Sequence, residues 1–357
     1  MEATKPRRLP VTVVTGFLGA GKTTLLRHLL SHGGQRLAVI VNEFGEVGID
    51  GDLIAGCGFC EGEDLEGRLV ELANGCLCCT VQDEFLPTLN QLLERSDRLD
   101  GIVVETSGLA LPEPLVAAFG WPEVRTRTRV NAVVTVVDGE ALALGHVVGN
   151  PTAVEAQRQA DPSLDHITAI EELFADQLEA ADLVLVSRAD RVDPMALGAV
   201  EERLRADLRP GVPVVPMVRG GIDPQLVFDG NGMGDEAGRG PREEPHGHDY
   251  DHDHDHHHDH AHVAMASVVV RLKGERLRPE LEAELRHLLA SEPVLRLKGR
   301  QWRSEGKLPL QIQAVGPRLE TWYEASPGEP MDGGGLELVV LGAAADAERL
   351  RAAFERL

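Results

Sequence analysis

The stretch Gly16-Phe17-Leu18-Gly19-Ala20-Gly21-Lys22-Thr23 constrains this chain more than any other. It fits G-x-x-x-x-G-K-[ST] at every fixed position. Before it, Leu9 to Thr15 carries Val11, Val13 and Val14, a β-branched run that reads as a buried strand. After it, Thr24-Leu25-Leu26-Arg27-His28-Leu29-Leu30 has the residues of a helix. Strand, glycine loop and helix is the context in which the pattern binds phosphate. The glycines let backbone N–H groups close around an anion, and the helix N-terminus adds positive partial charge. Residues Gly16, Phe17, Leu18, Gly19, Ala20, Gly21, Lys22, Thr23 and Thr24 are therefore expected to line a nucleotide. Lys22 is expected to reach the β/γ-phosphates, and the Thr23 hydroxyl to ligate Mg²⁺.

Two further segments fit the same site. Leu99 to Val104 is an apolar strand that ends in Glu105-Thr106-Ser107-Gly108. A carboxylate at that position, Glu105, is placed to act on Mg²⁺ or on the attacking water, with Gly108 lending its N–H to the γ-phosphate. Leu183 to Val186 is another strand, followed by Ser187-Arg188-Ala189-Asp190. GTPases carry [NST]-K-x-D here, and the Asp accepts from guanine N1 and N2, which favours GTP over ATP. Arg188 replaces the Lys; its planar guanidinium is able to stack on a purine.

The cysteines point to metal. Cys57, Cys60, Cys76, Cys78 and Cys79 all fall within 23 residues, with no secretory signal before them. Clustered thiols in a reducing, cytoplasmic setting suit metal binding better than a disulfide framework. Cys76-x-Cys78-Cys79 supplies two or three thiolates on one turn, a donor set for Zn²⁺, Cu⁺ or Co²⁺. Cys57-x-x-Cys60 and Cys76-x-x-Cys79 also fit the spacing of a closed structural zinc site, which would leave Cys78 over. Both arrangements stand open on sequence.

From His246 to His262 the chain reads HGHDYDHDHDHHHDHAH, nine histidines alternating with Asp. Such a segment has nothing to build a core from and is expected to be a disordered, loosely metal-binding linker. A net charge of −23 argues against nucleic acid as a partner. No apolar run approaches the length of a membrane span.

The alternation of strands and helices predicts an α/β fold, a doubly wound, mostly parallel sheet, for residues 1–228. Ala38–Asn42, Ala132–Val137 and Val214–Met217 read as its other strands, and Phe85–Arg95 and Pro194–Asp207 as helices. Residues 229–263 form the linker. A small α+β domain follows over 264–357: strands at Ser267–Leu272, Leu310–Val315 and Leu336–Leu341, helices at Arg278–Leu289 and Ala345–Leu357.

Taken together, the phosphate loop, Asn42-Glu43-Phe44-Gly45-Glu46-Val47-Gly48, Gly75-Cys76-Leu77-Cys78-Cys79 and Glu105-Thr106-Ser107-Gly108 resemble the CobW family of metallochaperone P-loop GTPases. The resemblance covers nearly the whole chain. The Gly56-Cys57-Gly58-Phe59-Cys60-Glu61-Gly62 insertion is similar to the cobalamin-biosynthesis branch more than to the zinc-linked branch. The resemblance implies a GTP- and magnesium-dependent GTPase with switch segments, with a cargo metal, cobalt ahead of zinc, at Cys76, Cys78 and Cys79. It implies that Cys79, Thr80, Val81, Gln82 and Asp83 lie near the nucleotide, and that the client is a metallochelatase, a cobaltochelatase for cobalt. Two departures stand out: Val41 where many relatives have Glu, and Arg188 for Lys. The competing readings are a zinc allocator of the same fold, a His/Cys-rich metal buffer, and a P-loop kinase with a structural zinc ribbon.

Overall fold

The computed structural model describes residues 8–32, 34–41, 69–71, 85–160, 169–228, 264–304, 308–325 and 334–357. The first sheet has seven strands: β1 (Leu9–Thr15), β2 (Leu37–Val41), β3 (Leu69–Glu71), β4 (Gly101–Glu105), β5 (Thr128–Asp138), β6 (Leu183–Ser187) and β7 (Val214–Pro216). Their order is β3-β2-β4-β1-β5-β6-β7, every pairing parallel. The chain winds outward from β1 in one direction and then, from β5, in the other. That reversal opens a crevice at the C-terminal ends of the central strands, where α/β sheets bind ligands.

The sheet is buried on both faces, so its strands are continuous apolar runs. Side chains alternate across it. Val11, Val13, Ile102, Val104 and Val133 face the Leu86–Leu93 and Glu113–Ala118 helices; Val14, Val103, Val134 and Val136 face the Lys22–His32 helix. Each such side chain taken out of water contributes about 1.5–3 kcal/mol. The long strand β5 begins four residues earlier than the apolar run suggests, because Thr128, Arg129 and Asn131 are buried polar residues.

The second sheet is antiparallel, in the order β11-β10-β9-β12-β8, from β8 (Met265–Lys273), β9 (Val294–Trp302), β10 (Leu310–Val315), β11 (Arg318–Tyr323) and β12 (Gly335–Ala343). One face packs on the Arg278–Ser291 and Ala347–Phe354 helices through Val268, Leu297, Ile312 and Leu338. The other face meets the first domain. Leu295 and Val315 enter the core around Val14 and Leu26. Arg296, 3% exposed, reaches across from β9 and donates to the Phe228 carbonyl at 2.7 Å, to the Gln225 carbonyl, and to Asn131 Oδ1 at 3.3 Å. Asp182, fully buried just before β6, accepts from Arg209 of its own domain at 2.8 Å and from Arg318 of the other. Strand β9 carries Arg296, Lys298, Gly299 and Arg300, so its sequence does not read as a strand. It is nonetheless the centre of its sheet. Gly299 lets it sit there, since a Cβ would lie 2.3 Å from Leu338 Cδ2.

Candidate functional site

The phosphate loop follows β1. Gly16, Gly19 and Gly21 have φ of +135°, +77° and +108°, a region L side chains rarely adopt. A Cβ on Gly16 would also lie 2.1 Å from the Val136 carbonyl oxygen, so the loop is pressed onto β5. The Ala20 N–H bonds the Phe17 carbonyl at 3.1 Å, and the Leu25 N–H to Gly21 at 3.0 Å opens the helix. Lys22 is 6% exposed at that helix's start. Its Nζ lies 3.4 Å from the Phe17 carbonyl and 3.8 Å from Glu105 Oε1. Glu105 ends β4 and is 2% exposed.

The turn after β4 is fastened to the loop. The Thr106 N–H donates to the Val14 carbonyl at 2.9 Å, and the Ala110 N–H closes the turn on Ser107 at 3.0 Å. A Cβ on Gly108 would stand 2.7 Å from the Leu18 nitrogen. The hydroxyls of Thr15, Ser107 and Ser187 are buried at or just past the ends of β1, β4 and β6, with no hydrogen-bond partner among the described residues. A tight glycine cradle, a buried lysine–glutamate pair and this rim of spare hydroxyls suit a polyphosphate with a divalent ion.

Arg188 follows β6 in the left-handed region, φ 54°. Its guanidinium is engaged on both sides. Nη1 pairs with Asp138, and Nη2 donates to the Gly19 carbonyl at 3.1 Å. This fork binds the loop after β6 to the phosphate loop, a role beyond the stacking expected of it. Asp138, at the end of β5, uses its other oxygen to cap the Gly139–Ala143 helix, accepting from Glu140 N and Ala141 N at 3.1 and 3.2 Å. Gly149 is close by, since a Cβ there would be 2.6 Å from Asp138 Oδ2. Asp190 is exposed in the short turn that follows. The Ala189 N–H bonds the Met217 carbonyl at 3.4 Å, and Gly220 packs on the Thr24 carbonyl, which a Cβ would approach to 2.5 Å.

Gly16 through Thr24, Glu105, Gly108 and Ser187 through Asp190 thus gather at one end of the sheet. Asp138, Gln177 and the Met217–Gly220 loop join them without any motif to announce them. An Asp ending an apolar strand at the N-cap of the helix that follows is the one signal for Asp138. Asn42–Gly48, Cys57, Cys60, Cys76, Cys78, Cys79, Thr80, Val81, Gln82, Asp83 and the His246–His262 run lie outside the described residues. Among the described residues no three His, Cys, Asp or Glu side chains form a group able to hold a metal, and no helix is long and apolar enough to cross a membrane.

Fold and site define a P-loop nucleotide-binding protein with an appended antiparallel domain. Residues 10–216 match the family model described as CobW/HypB/UreG, nucleotide-binding domain, and residues 265–357 match the cobalamin synthesis protein cobW C-terminal domain. The chain belongs to this family, and it is a GTPase. It is similar to a protein named zinc chaperone CobW from Pseudomonas aeruginosa, 46% identical over 89% of this chain and 83% of that one. A second protein so named, from a Sinorhizobium species, is 40% identical over 94% and 93%. The zinc chaperone YjiA of Escherichia coli is 30% identical over 98% of each. A crystal structure of Zn(II)-bound YjiA GTPase aligns over 98% of this chain and 99% of that one at 25% identity, with a TM-score of 0.40.

Proposed function

We propose that this chain is a GTP-driven metallochaperone whose cargo is zinc. The observation that carries the nucleotide half is the buried Lys22–Glu105 pair, 3.8 Å apart between the phosphate loop and the end of β4. In this reading the loop amides of Gly16–Thr24 and Lys22 hold the phosphates, and Thr23 holds magnesium. The ion supplies charge neutralisation on the phosphate oxygens. Glu105 orients the ion or the attacking water, and the Gly108 N–H addresses the γ-phosphate. Ser187, Arg188, Ala189 and Asp190 receive the base, with Arg188 tying that segment directly to the Gly19 carbonyl and to Asp138. Cys76, Cys78 and Cys79 carry the cargo, and Cys79–Asp83 lie beside the nucleotide.

Zinc is favoured because relatives at 46% and 40% identity are named zinc chaperones. Cobalt delivered to a cobaltochelatase is the second reading, supported by the Gly56–Gly62 insertion. Thiolate and imidazole donors suit both ions. GTP and metal sites that share one element are linked, so each ligand changes the other's affinity by the same factor. A competitive titration of Zn²⁺ and Co²⁺ against the Mg²⁺–GTP and Mg²⁺–GDP states tests this. The expected coupling is about 1–3 kcal/mol, with zinc held more tightly. Equal affinity in both nucleotide states refutes the chaperone mechanism. Strong coupling with cobalt alone refutes the choice of ion.

A further inference from the structure

Gln177 lies on the Ile170–Ala180 helix, is fully buried and belongs to no motif. Its Nε2 donates to the carbonyl oxygens of Gly108 at 3.1 Å and Ala110 at 3.3 Å. Those two acceptors decide which way the amide points, because a flipped amide would set Oε1 against two carbonyls. The main-chain carbonyl of Gln177 accepts from Thr135 Oγ1 at 3.1 Å, which fastens the helix to β5. Three residues earlier, Phe174 stacks on Phe17 of the phosphate loop with ring centroids 6.1 Å apart. Leu178 and Leu109 share a core with Phe17. One helix face therefore touches both the phosphate loop and the turn after β4. There is no slack between those two, as the 2.7 Å from a Gly108 Cβ to the Leu18 nitrogen shows. Packing at this density transmits displacement instead of absorbing it.

We propose that Gln177 is a positioning residue for GTP hydrolysis. Its carboxamide holds the Glu105–Ala110 turn against the phosphate loop, and so sets where Glu105 and the Gly108 N–H stand relative to the γ-phosphate. This rests on the assignment of that turn to the γ-phosphate given above. Misplacing a reacting group by about 1 Å costs on the order of a hundredfold in rate. The phosphate loop keeps its own anchors, Gly16 against the Val136 carbonyl and the Leu25 N–H to Gly21, so GDP affinity is spared.

The test compares the full chain carrying Gln177→Leu, Gln177→Glu or Glu105→Gln with the native protein. Gln177→Leu is expected to lose about tenfold or more in kcat, with GTP KM and GDP affinity within about threefold of native. Gln177→Glu places a carboxylate against two carbonyls and has no proton to give. Burial raises such a group's pKa, and protonation returns one donor. Its kcat is therefore expected to recover as pH falls, a limb the native enzyme lacks. Native kcat in a folded Gln177→Leu overturns the proposal. So does a parallel loss of kcat and GDP affinity, the mark of a merely structural residue. If Gln177→Leu does not fold, Gln177→Glu decides, and absence of recovery at low pH overturns it; loss of the fold in both does the same. Glu105→Gln separates the two readings. Full activity there removes the site assignment itself, whereas an impaired Glu105→Gln beside an active Gln177→Leu removes only the positioning role.

Discussion

Replacing Asp182 by Ala should uncouple the two domains while leaving the nucleotide site intact. Asp182 is fully buried and serves three donors: Val133 N at 2.8 Å, Arg209 at 2.8 Å and Arg318 from β11. Hydrogen bonds to a charged group contribute roughly 1.5–3 kcal/mol each, and a buried N–H left without its acceptor costs about 1–3 kcal/mol. The arginines are 41% and 22% exposed, so on losing the carboxylate they turn partly to water and recover some of their share. The expected loss is therefore about 3–5 kcal/mol, in the range for breaking a buried pair from one side. Arg318→Ala should cost less, about 1.5–3 kcal/mol, because Asp182 keeps Arg209 and Val133. The assay is urea unfolding followed by fluorescence, with Trp121 reporting the first domain, Trp302 the second, and Trp322, under Arg129 of the first domain, the contact between them. The midpoint should fall by about 1–2 M, and the two domains should no longer melt together. GDP affinity should stay within about twofold of native, since the five residues of β6 put about 16 Å between Asp182 and Ser187. A loss below about 1 kcal/mol with coincident transitions would refute the role given to Asp182.

Three further outcomes follow from the same geometry. Lys22→Ala should abolish GTP turnover, because its ammonium is the buried cation between the phosphate loop and Glu105, while the melting temperature measured without GDP shifts little. Arg188→Lys should weaken GDP binding by about 3–30-fold in a fluorescence titration, since one ammonium cannot serve both Asp138 and the Gly19 carbonyl. Thr321→Val should destabilise by about 0.5–1 kcal/mol at neutral pH. The Thr321 hydroxyl, 2.5 Å away, and then Arg278 and Arg286 hold Glu282 below its ordinary value of 4.5, against its partial burial. A depressed carboxylate stabilises above its unfolded value and loses that contribution as pH falls through the folded one. The variant's deficit should therefore close below about pH 4 in a melting series.

What the sequence makes legible and what it hides divide along a physical line. The phosphate loop, the Glu105–Gly108 turn and the Ser187–Asp190 segment are local: each is a strand end with its own residue chemistry, and the parallel sheet brings all three to the C-terminal end of its strands. Pro194–Asp207 and Leu310–Val315 are equally local, their boundaries set by period and by Pro, and they fall where periodicity puts them. Asp138, Gln177, Asp182 and Arg296 are of another kind. Each is a polar residue whose purpose is a partner 50 or more positions away: Arg188, Gly108, Arg318 and Asn131. No window along the chain contains both members. Strand β9 fails as a strand on paper for the same reason, because Arg296 looks solvent-facing until the first domain covers it. A buried polar group must find its bonds, so these residues had to be satisfied by something distant, and only the fold says by what. The consequence is that the motif residues report which reaction the chain performs. The unannounced ones govern how firmly the site's parts are held, and substitutions at Gln177 and Asp138 should divide catalysis from binding more cleanly than substitutions within the phosphate loop.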